Sequence, residues 1–441
     1  MPRAAADAVR PVSVPSPWEG LMTIAAARVP ATRRLAATLY GYAFLTEFVL
    51  LYPFYVLLFA DTGLSVGQIS SLFVIWSATS IVVEVPSGAW ADAVSRRLLL
   101  VLAPLLPAAG FALWLLASSY PAFAVGFVLW GAGGALRSGA LEALVFTELD
   151  RLAATDRYAR LTGRARTTEV LAAAASAAVA VPVFAVGGYP AVGLASVLAC
   201  LLAAAVAARF PEHRPARQPA VPTSAPDSLR PLDDLPAEGA DEPGWRDSLR
   251  AGLAEARAGH AVRAAVLLVP AVTAVWGGLD EYTSLLARET GVAEAAVPLL
   301  LLLLWAGMTV GGLLAPVGER LTNRGYAGLL VLAAATLAAG ALVGRPVGFL
   351  LLAVAFAAFQ LATVLADVRL QARITGTARA TVTSVAGMAT DLTIIAFYGG
   401  YGLLAGAAGN GVAFALAALP YLAVACWLVS SPTWTERPPG K

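Results

Sequence analysis

Charge is scarce in this chain. Of its 441 residues only 13% are Asp, Glu, Lys or Arg, about half the share of an ordinary soluble domain. Lysine is nearly missing: arginine outnumbers it 29 to 1, the usage expected of a GC-rich coding sequence. Cysteine is rare, and both copies, Cys200 and Cys426, sit inside apolar runs. That placement argues against a disulfide framework and makes both residues small buried hydrophobes. The two histidines, His213 and His260, lie apart and build no His-based metal centre. No phosphate-binding loop of the Walker type is present, which excludes an ATP-driving domain in this chain. No Gly-x-Ser-x-Gly hydrolase elbow stands at a strand–turn–helix junction. Basic residues are not gathered on one surface, as a nucleic-acid binder requires. Nothing calls for a cofactor.

Apolar residues fill the space that charge leaves. They make up 59% of the chain, and the mean hydropathy is +0.74. Twelve long apolar runs fall at about 36–60, 69–90, 98–118, 121–147, 166–187, 190–208, 263–286, 295–317, 326–343, 347–368, 380–404 and 410–430. Roughly twenty such residues cross a bilayer core as a helix. The tetrad Gly187, Gly188, Tyr189 and Pro190 reads as a tight turn between two crossings. Arginines occupy alternate gaps: Arg96 and Arg97, then Arg151 to Arg164, then Arg320 and Arg324, then Arg369, Arg373 and Arg379. Of the 30 basic residues, 27 fall on one side, Arg137 lies inside a span, and only Arg288 and Arg345 fall on the other side. Basic loops stay in the cytoplasm, so the pattern predicts twelve crossings with both termini cytoplasmic in a plasma membrane. Residues 1–35 read as a cytoplasmic tail before an uncleaved first span.

The chain also repeats. Asp61-Thr62-Gly63-Leu64 follows the first span, and Glu289-Thr290-Gly291-Val292 follows the seventh, 228 residues later. The entrances to spans five and eleven, at 164–170 and 379–385, match at an offset of 215. Both matches fit a duplication into halves at 36–208 and 263–430. Between them lies a linker at 209–262. Its proline-rich, acidic part cannot bury enough surface to fold alone. Its end, 245–261, carries a helical stripe of Trp245, Leu249 and Leu253, which suits an interfacial helix. Residues 431–441 read as a second cytoplasmic tail. The fold class is therefore an all-α integral membrane protein of two six-helix halves.

Residues 88–97 carry Gly88, Asp92, Arg96 and Arg97 between the second and third spans. This stretch resembles the loop signature of the major facilitator superfamily. Glu84-Val85-Pro86-Ser87-Gly88 upstream resembles a subgroup of that superfamily with a Glu-x-Pro-Ser-Gly second helix, and residues 137–143 of span four are similar to the same subgroup. Two positions depart from the pattern, Ala93 and Ser95, and the second-half copy at 318–324 is degenerate. The resemblance implies a secondary transporter and not an enzyme, working by alternating access on a small molecule. It leans towards proton-coupled efflux of a drug-like or amphipathic metabolite. Proton-coupled uptake is the alternative, ahead of a non-transporting sensor or an intramembrane enzyme. Expected partners are the substrate, a proton and membrane lipids, with a monomer as the working unit. The resemblance also gives the loop cluster a gating role, bracing the two halves when the carrier is open outward.

Charges inside spans cost several kcal/mol or more unless they face a cavity or each other. The candidates are Glu47 in span one, Glu84 in span two, Arg137 in span four, Asp280 and Glu281 near the outer end of span seven, and Asp391 in span eleven. Glu84 and Arg137 lie at similar depth and form a candidate buried pair. Glu47 is the first choice as proton carrier, because a carboxylate in a low dielectric holds its proton more readily. Tyr40 lies seven residues earlier on the same helical face. Phe44, Leu51, Phe54 and Tyr55 lie near that face as candidate cavity lining. Asp280 and Glu281, beside Tyr282, are candidates for an acidic outer gate. The topology is open to a direct check: impermeant thiol reagents reach single cysteines placed in 61–68 and in 88–97 from opposite faces. Labelling of both segments from one face is the outcome that removes the twelve-span reading.

Overall fold

The computed structural model describes residues 17–213, 260–374 and 379–430. Within these, residues 17–29, 85, 88, 89, 91–93 and 379–381 are described by backbone alone. The described residues are helical and contain no strand. Among the described residues, ten stretches are long and apolar enough to cross a membrane. They resolve into the predicted twelve crossings for two reasons. Thr155–Ala207 counts once although Gly188, at φ 56°, interrupts it and separates the fifth span from the sixth. The first span is broken into Pro17–Glu47 and Tyr55–Asp61, and neither piece qualifies by itself. Its helix begins at Pro17, well before residue 36. The interfacial helix expected at 245–261 lies outside the described residues, save for His260 and Ala261, which open the seventh span. The acidic linker before it and the tail at 431–441 lie outside them too.

The break in the first span has a local cause. Pro53 has no N–H to give and disfavours a helical conformation at Tyr52. The N–H of Leu51 is instead taken by the Ser196 hydroxyl of span six, at 2.9 Å. In lipid every freed peptide group needs such a partner. The seventh span is interrupted at the matching place, between His260–Asp280 and Thr283–Glu289. There the Thr283 hydroxyl donates to the Asp280 carbonyl at 2.6 Å. The two short helices after the breaks start and end 228 residues apart, the offset of the sequence repeat. Thr62 and Thr290 close them alike, each hydroxyl donating at 2.7 Å to the carbonyl three residues back, Phe59 and Ala287. Gly63 and Gly291 follow with φ of 89° and 79°, which side-chain-bearing residues rarely adopt. The duplication is thus a structural one, of the parallel-repeat kind.

Each half is packed through small residues. Gly307 and Gly311 of span eight lie against the backbone of Ala353 and Ala357 in span ten, with no room for a Cβ at either glycine. Gly126 leaves the place that the Trp114 indole fills, and Trp114 is fully buried. Close backbone approach of this kind is how membrane helices gain packing energy that lipid does not supply. Gly311→Ala is expected to cost about 1–3 kcal/mol by overpacking. Gly312→Ala, where a Cβ meets open space, is expected to be neutral or slightly stabilising, within about 1 kcal/mol. Thermal unfolding of the two variants in detergent checks the difference.

Candidate substrate and proton site

The breaks in the first and seventh spans deliver polar side chains to the interface between the halves. A cavity of about 350 Å³ lies there. The N-terminal half lines it with Glu47, Tyr52, Tyr55, Trp76, Trp130 and Arg137, and the C-terminal half with Asp280, Glu281, Ser284 and Trp305. A second lobe of about 390 Å³ adjoins it, sharing Trp76, Ser80 and Glu281 and adding Glu84, Asp391 and Tyr398. Tyr52 stacks on Trp130 with ring centroids 5.3 Å apart, and Trp130 lies 5.4 Å from Trp76. The walls are therefore aromatic, with charge at a few fixed points.

Arg137 Nη1 meets Glu47 Oε1 at 3.0 Å, and both side chains keep about a quarter of their exposure (30% and 24%). This replaces the expected pair with Glu84. Counting residues along a helix sets depth in the membrane but not the direction a side chain points. Glu84 is exposed on the second lobe, together with Asp391 of the other half. Further corrections come from the break at 48–54. Helical periodicity from Glu47 does not continue through it, so Leu51 and Phe54 turn into the protein core, where Phe54 stacks on Phe184 at 4.1 Å. Phe44 stacks on Phe48 instead of lining the cavity. Tyr55, beyond the break, does line it. Tyr40 is set among the apolar residues of the arginine-rich end, and its buried hydroxyl makes no hydrogen bond. Sequence reasoning missed Trp76, Trp130 and Trp305, which carry no polar signal that separates them from ordinary core.

The arginine-poor end is closed across the halves. Tyr55 donates to Glu281 Oε2. The hydroxyls of Ser70 and Tyr282 are 2.7 Å apart. Arg288 Nη1 meets Asp61 Oδ1 at 2.7 Å, and Tyr189 donates to the other Asp61 oxygen. Gly402 packs against Ser70 and Gly67, so spans two and eleven nearly touch there. Towards the arginine-rich end the same two spans expose Glu84 and Trp90, and Met388 and Asp391. The cavity is thus sealed at one end and open towards the other. Asp280 is at the cavity rather than in the seal, with Oδ1 buried and without a hydrogen bond.

Twelve helical crossings, a duplicated half and a two-lobed cavity lined by both halves are the architecture of one transporter class, and the family model of the Major Facilitator Superfamily matches residues 36–398. The chain belongs to that superfamily. It is a multi-pass membrane protein of a transporter family, a secondary transporter and not an enzyme. Solved structures share its fold. One is a bacterial homologue of the human lysosomal transporter Spinster in an inward-facing, unoccupied conformation, with a TM-score of 0.67 at 15% identity, covering 92% of this chain and 98% of that one. Another is the nucleoside transporter NupG, with a TM-score of 0.64 at 10% identity over 92% and 100%. A third is a D-xylose–proton symporter, with a TM-score of 0.61 at 14% identity over 91% and 98%. A comparison with curated protein sequences gives no match.

The superfamily loop is described in part. The Arg96 guanidinium donates to the Ala143 carbonyl at 3.2 Å and to Thr147 Oγ1 at 2.8 Å, both in span four. The Arg96 backbone N–H and the Ser95 hydroxyl donate to the Glu212 carboxylate, after span six. Those contacts reach span four and the first residues of the linker, not the C-terminal half. Arg97 is exposed, and the surroundings of Gly88 and Asp92 lie outside the described residues. Other boundary acids pair locally: Glu169 with Arg166 at 3.0 Å, and Glu148 with Arg151 and His213, each at 3.1 Å.

A partly exposed ion pair is worth up to about 1 kcal/mol. Asp61→Ala is therefore expected to open the arginine-poor end roughly two- to fivefold more often. The probe is Ser80→Cys in the cavity wall, with Cys200 and Cys426 replaced, labelled by an impermeant thiol reagent from that side. An unchanged labelling rate means that the pair does not hold the seal.

Proposed function

We propose that this protein is a proton-coupled exporter of amphipathic small molecules in the plasma membrane. The observation that carries the reading is the Glu47–Arg137 pair, 3.0 Å apart in the wall of the aromatic cavity shared by both halves. A proton delivered to Glu47 cancels its charge and frees Arg137. A substrate that favours the ionised cavity drives the proton off again, which is the logic of exchange. The arginine-rich end faces the cytoplasm in this reading, following the charge rule, and the conformation described is open to that side. Residues 36–208 then rock against 263–430, closing the inner end as Tyr55–Glu281 and Asp61–Arg288 part. The loop around Asp92 and Arg96 braces the halves in that second state. Proton coupling is available to this fold, since a neighbour with the same architecture is a proton symporter by name. The aromatic walls suit a partly apolar cargo. The carrier works as a monomer and needs no cofactor.

The test uses inside-out membrane vesicles with an acid interior and a fluorescent reporter of the pH gradient. A panel of amphipathic compounds, neutral, cationic and anionic, is added in turn. At least one compound is expected to dissipate the gradient with the wild-type protein, and Glu47→Gln to reduce that response at least tenfold while remaining folded. Full coupling in Glu47→Gln removes the residue from its role. A gradient response to no member of the panel removes the proton-exchange reading. Compound that follows protons in the same direction makes the carrier a symporter.

A further inference from the structure

The charges that line the cavity do not balance. Across its two lobes the side chains include five carboxylates, Glu47, Glu84, Asp280, Glu281 and Asp391, and one base, Arg137. Among the described residues no second Lys, Arg or His lines either lobe. Arg137 is engaged with Glu47. Glu281 has a hydrogen bond from Tyr55, which supplies a dipole but no charge. The remaining acids are left to face the cavity.

Two buried polar atoms in the same wall lack a partner. Asp280 Oδ1 makes no hydrogen bond, and neither does the hydroxyl of Ser284, a residue only 3% exposed. An orphaned polar group in a low dielectric costs roughly 1–3 kcal/mol. Both of these line the first lobe. Such a wall is suited to a guest that brings a positive charge or a donor with it. Opposite stand Trp76, Trp130 and the stacked Tyr52. Aromatic faces carry negative charge density and attract cations, best of all tryptophan. An anion meets repulsion from both walls. The exposed acids Glu84 and Asp391, in the lobe that opens towards the arginine-rich end, attract cations from solution as well.

We propose that the space between Trp76–Trp130 and Asp280–Glu281 is a binding site for an organic cation with an apolar or aromatic body. Its identification as cargo rests on the transport reading above, whereas its binding does not. The two lobes share three residues and are each of drug-ligand size, so a bulky cation fits without a change of fold.

The experiment exploits two ions of one shape and opposite sign. Tetraphenylphosphonium and tetraphenylborate are measured by equilibrium binding to the purified full-length protein in detergent. Saturable binding of the phosphonium, at least tenfold tighter than the borate, is expected. Asp280→Asn and, separately, Glu281→Gln are expected to weaken the phosphonium at least fivefold while narrowing the gap to the borate. Equal binding of the two ions by the wild-type protein overturns the site and needs no variant. Charge-selective binding that survives undiminished in both variants overturns its placement. The two readings fail separately. If vesicles respond to a neutral or anionic compound while the phosphonium does not bind, the cation site falls and transport stands. If the phosphonium binds selectively and no compound moves a proton, proton-coupled transport falls and the site stands.

Discussion

Inside a bilayer, a charged side chain or an unbonded peptide group must face protein or water, and that requirement organises both halves of this molecule. The first and seventh spans lose helical continuity at positions related by the internal repeat. Each loss is repaired from inside: Ser196 accepts the Leu51 N–H, and Thr283 donates to the Asp280 carbonyl. The interrupted stretches lie where the two halves meet. They bring Glu47 and Tyr52 from one half, and Asp280 and Glu281 from the other, to a common space.

What the sequence displayed and what it hid divide along the same line. Hydropathy and arginine placement are one-dimensional, so the spans and the repeat at 61–64 and 289–292 could be read directly. Membrane depth is nearly one-dimensional too, and Glu47, Arg137, Asp280 and Glu281 do share a cavity. Azimuth is not. Glu84 matched Arg137 in depth yet points into a different lobe, and Glu47, predicted as a proton carrier without a basic partner, holds the arginine. Tyr52-Pro53 is a visible signal for a break, and beyond that break Leu51 and Phe54 leave the face that helical spacing from Glu47 assigns them. Arg288 looked like a violation of the charge rule. Its contact with Asp61 gives the violation a reason, since a seal at the arginine-poor end needs a cation where the rule forbids one.

The strengths of these contacts differ in a way that suits a moving machine. Within a half, spans eight and ten meet backbone to backbone at Gly307 and Gly311. Contacts that close admit no gradual separation. Between the halves the seal adds a partly exposed ion pair and two hydroxyl-mediated bonds to the packing of Gly402 on Gly67 and Ser70 and of Phe73 on Tyr282 and Tyr398. The ion pair and the Ser70–Tyr282 bond each contribute about 1 kcal/mol, and the bond to the Glu281 carboxylate roughly 1.5–3 kcal/mol. Tenfold changes in population take about 1.4 kcal/mol, so the seal is of the order that ligand and proton binding can offset. Halves packed this closely within themselves favour movement as two bodies over deformation of either one.

The Glu47–Arg137 pair lies wholly within the N-terminal half, so it cannot hold the halves together by itself. Its influence on the seal must pass through the residues between it and the joint. Glu47 ends one helix and Tyr55 begins the next. Tyr52, between them, lies against Trp130, two helical turns before Arg137 on span four. Tyr55 donates to Glu281, across the interface. One interrupted stretch, 47–55, therefore touches the ion pair, the aromatic wall and the seal. A continuous helix at that place would fix these three at constant spacing. The break frees them to shift relative to one another, and Pro53 ensures that the helix does not reform.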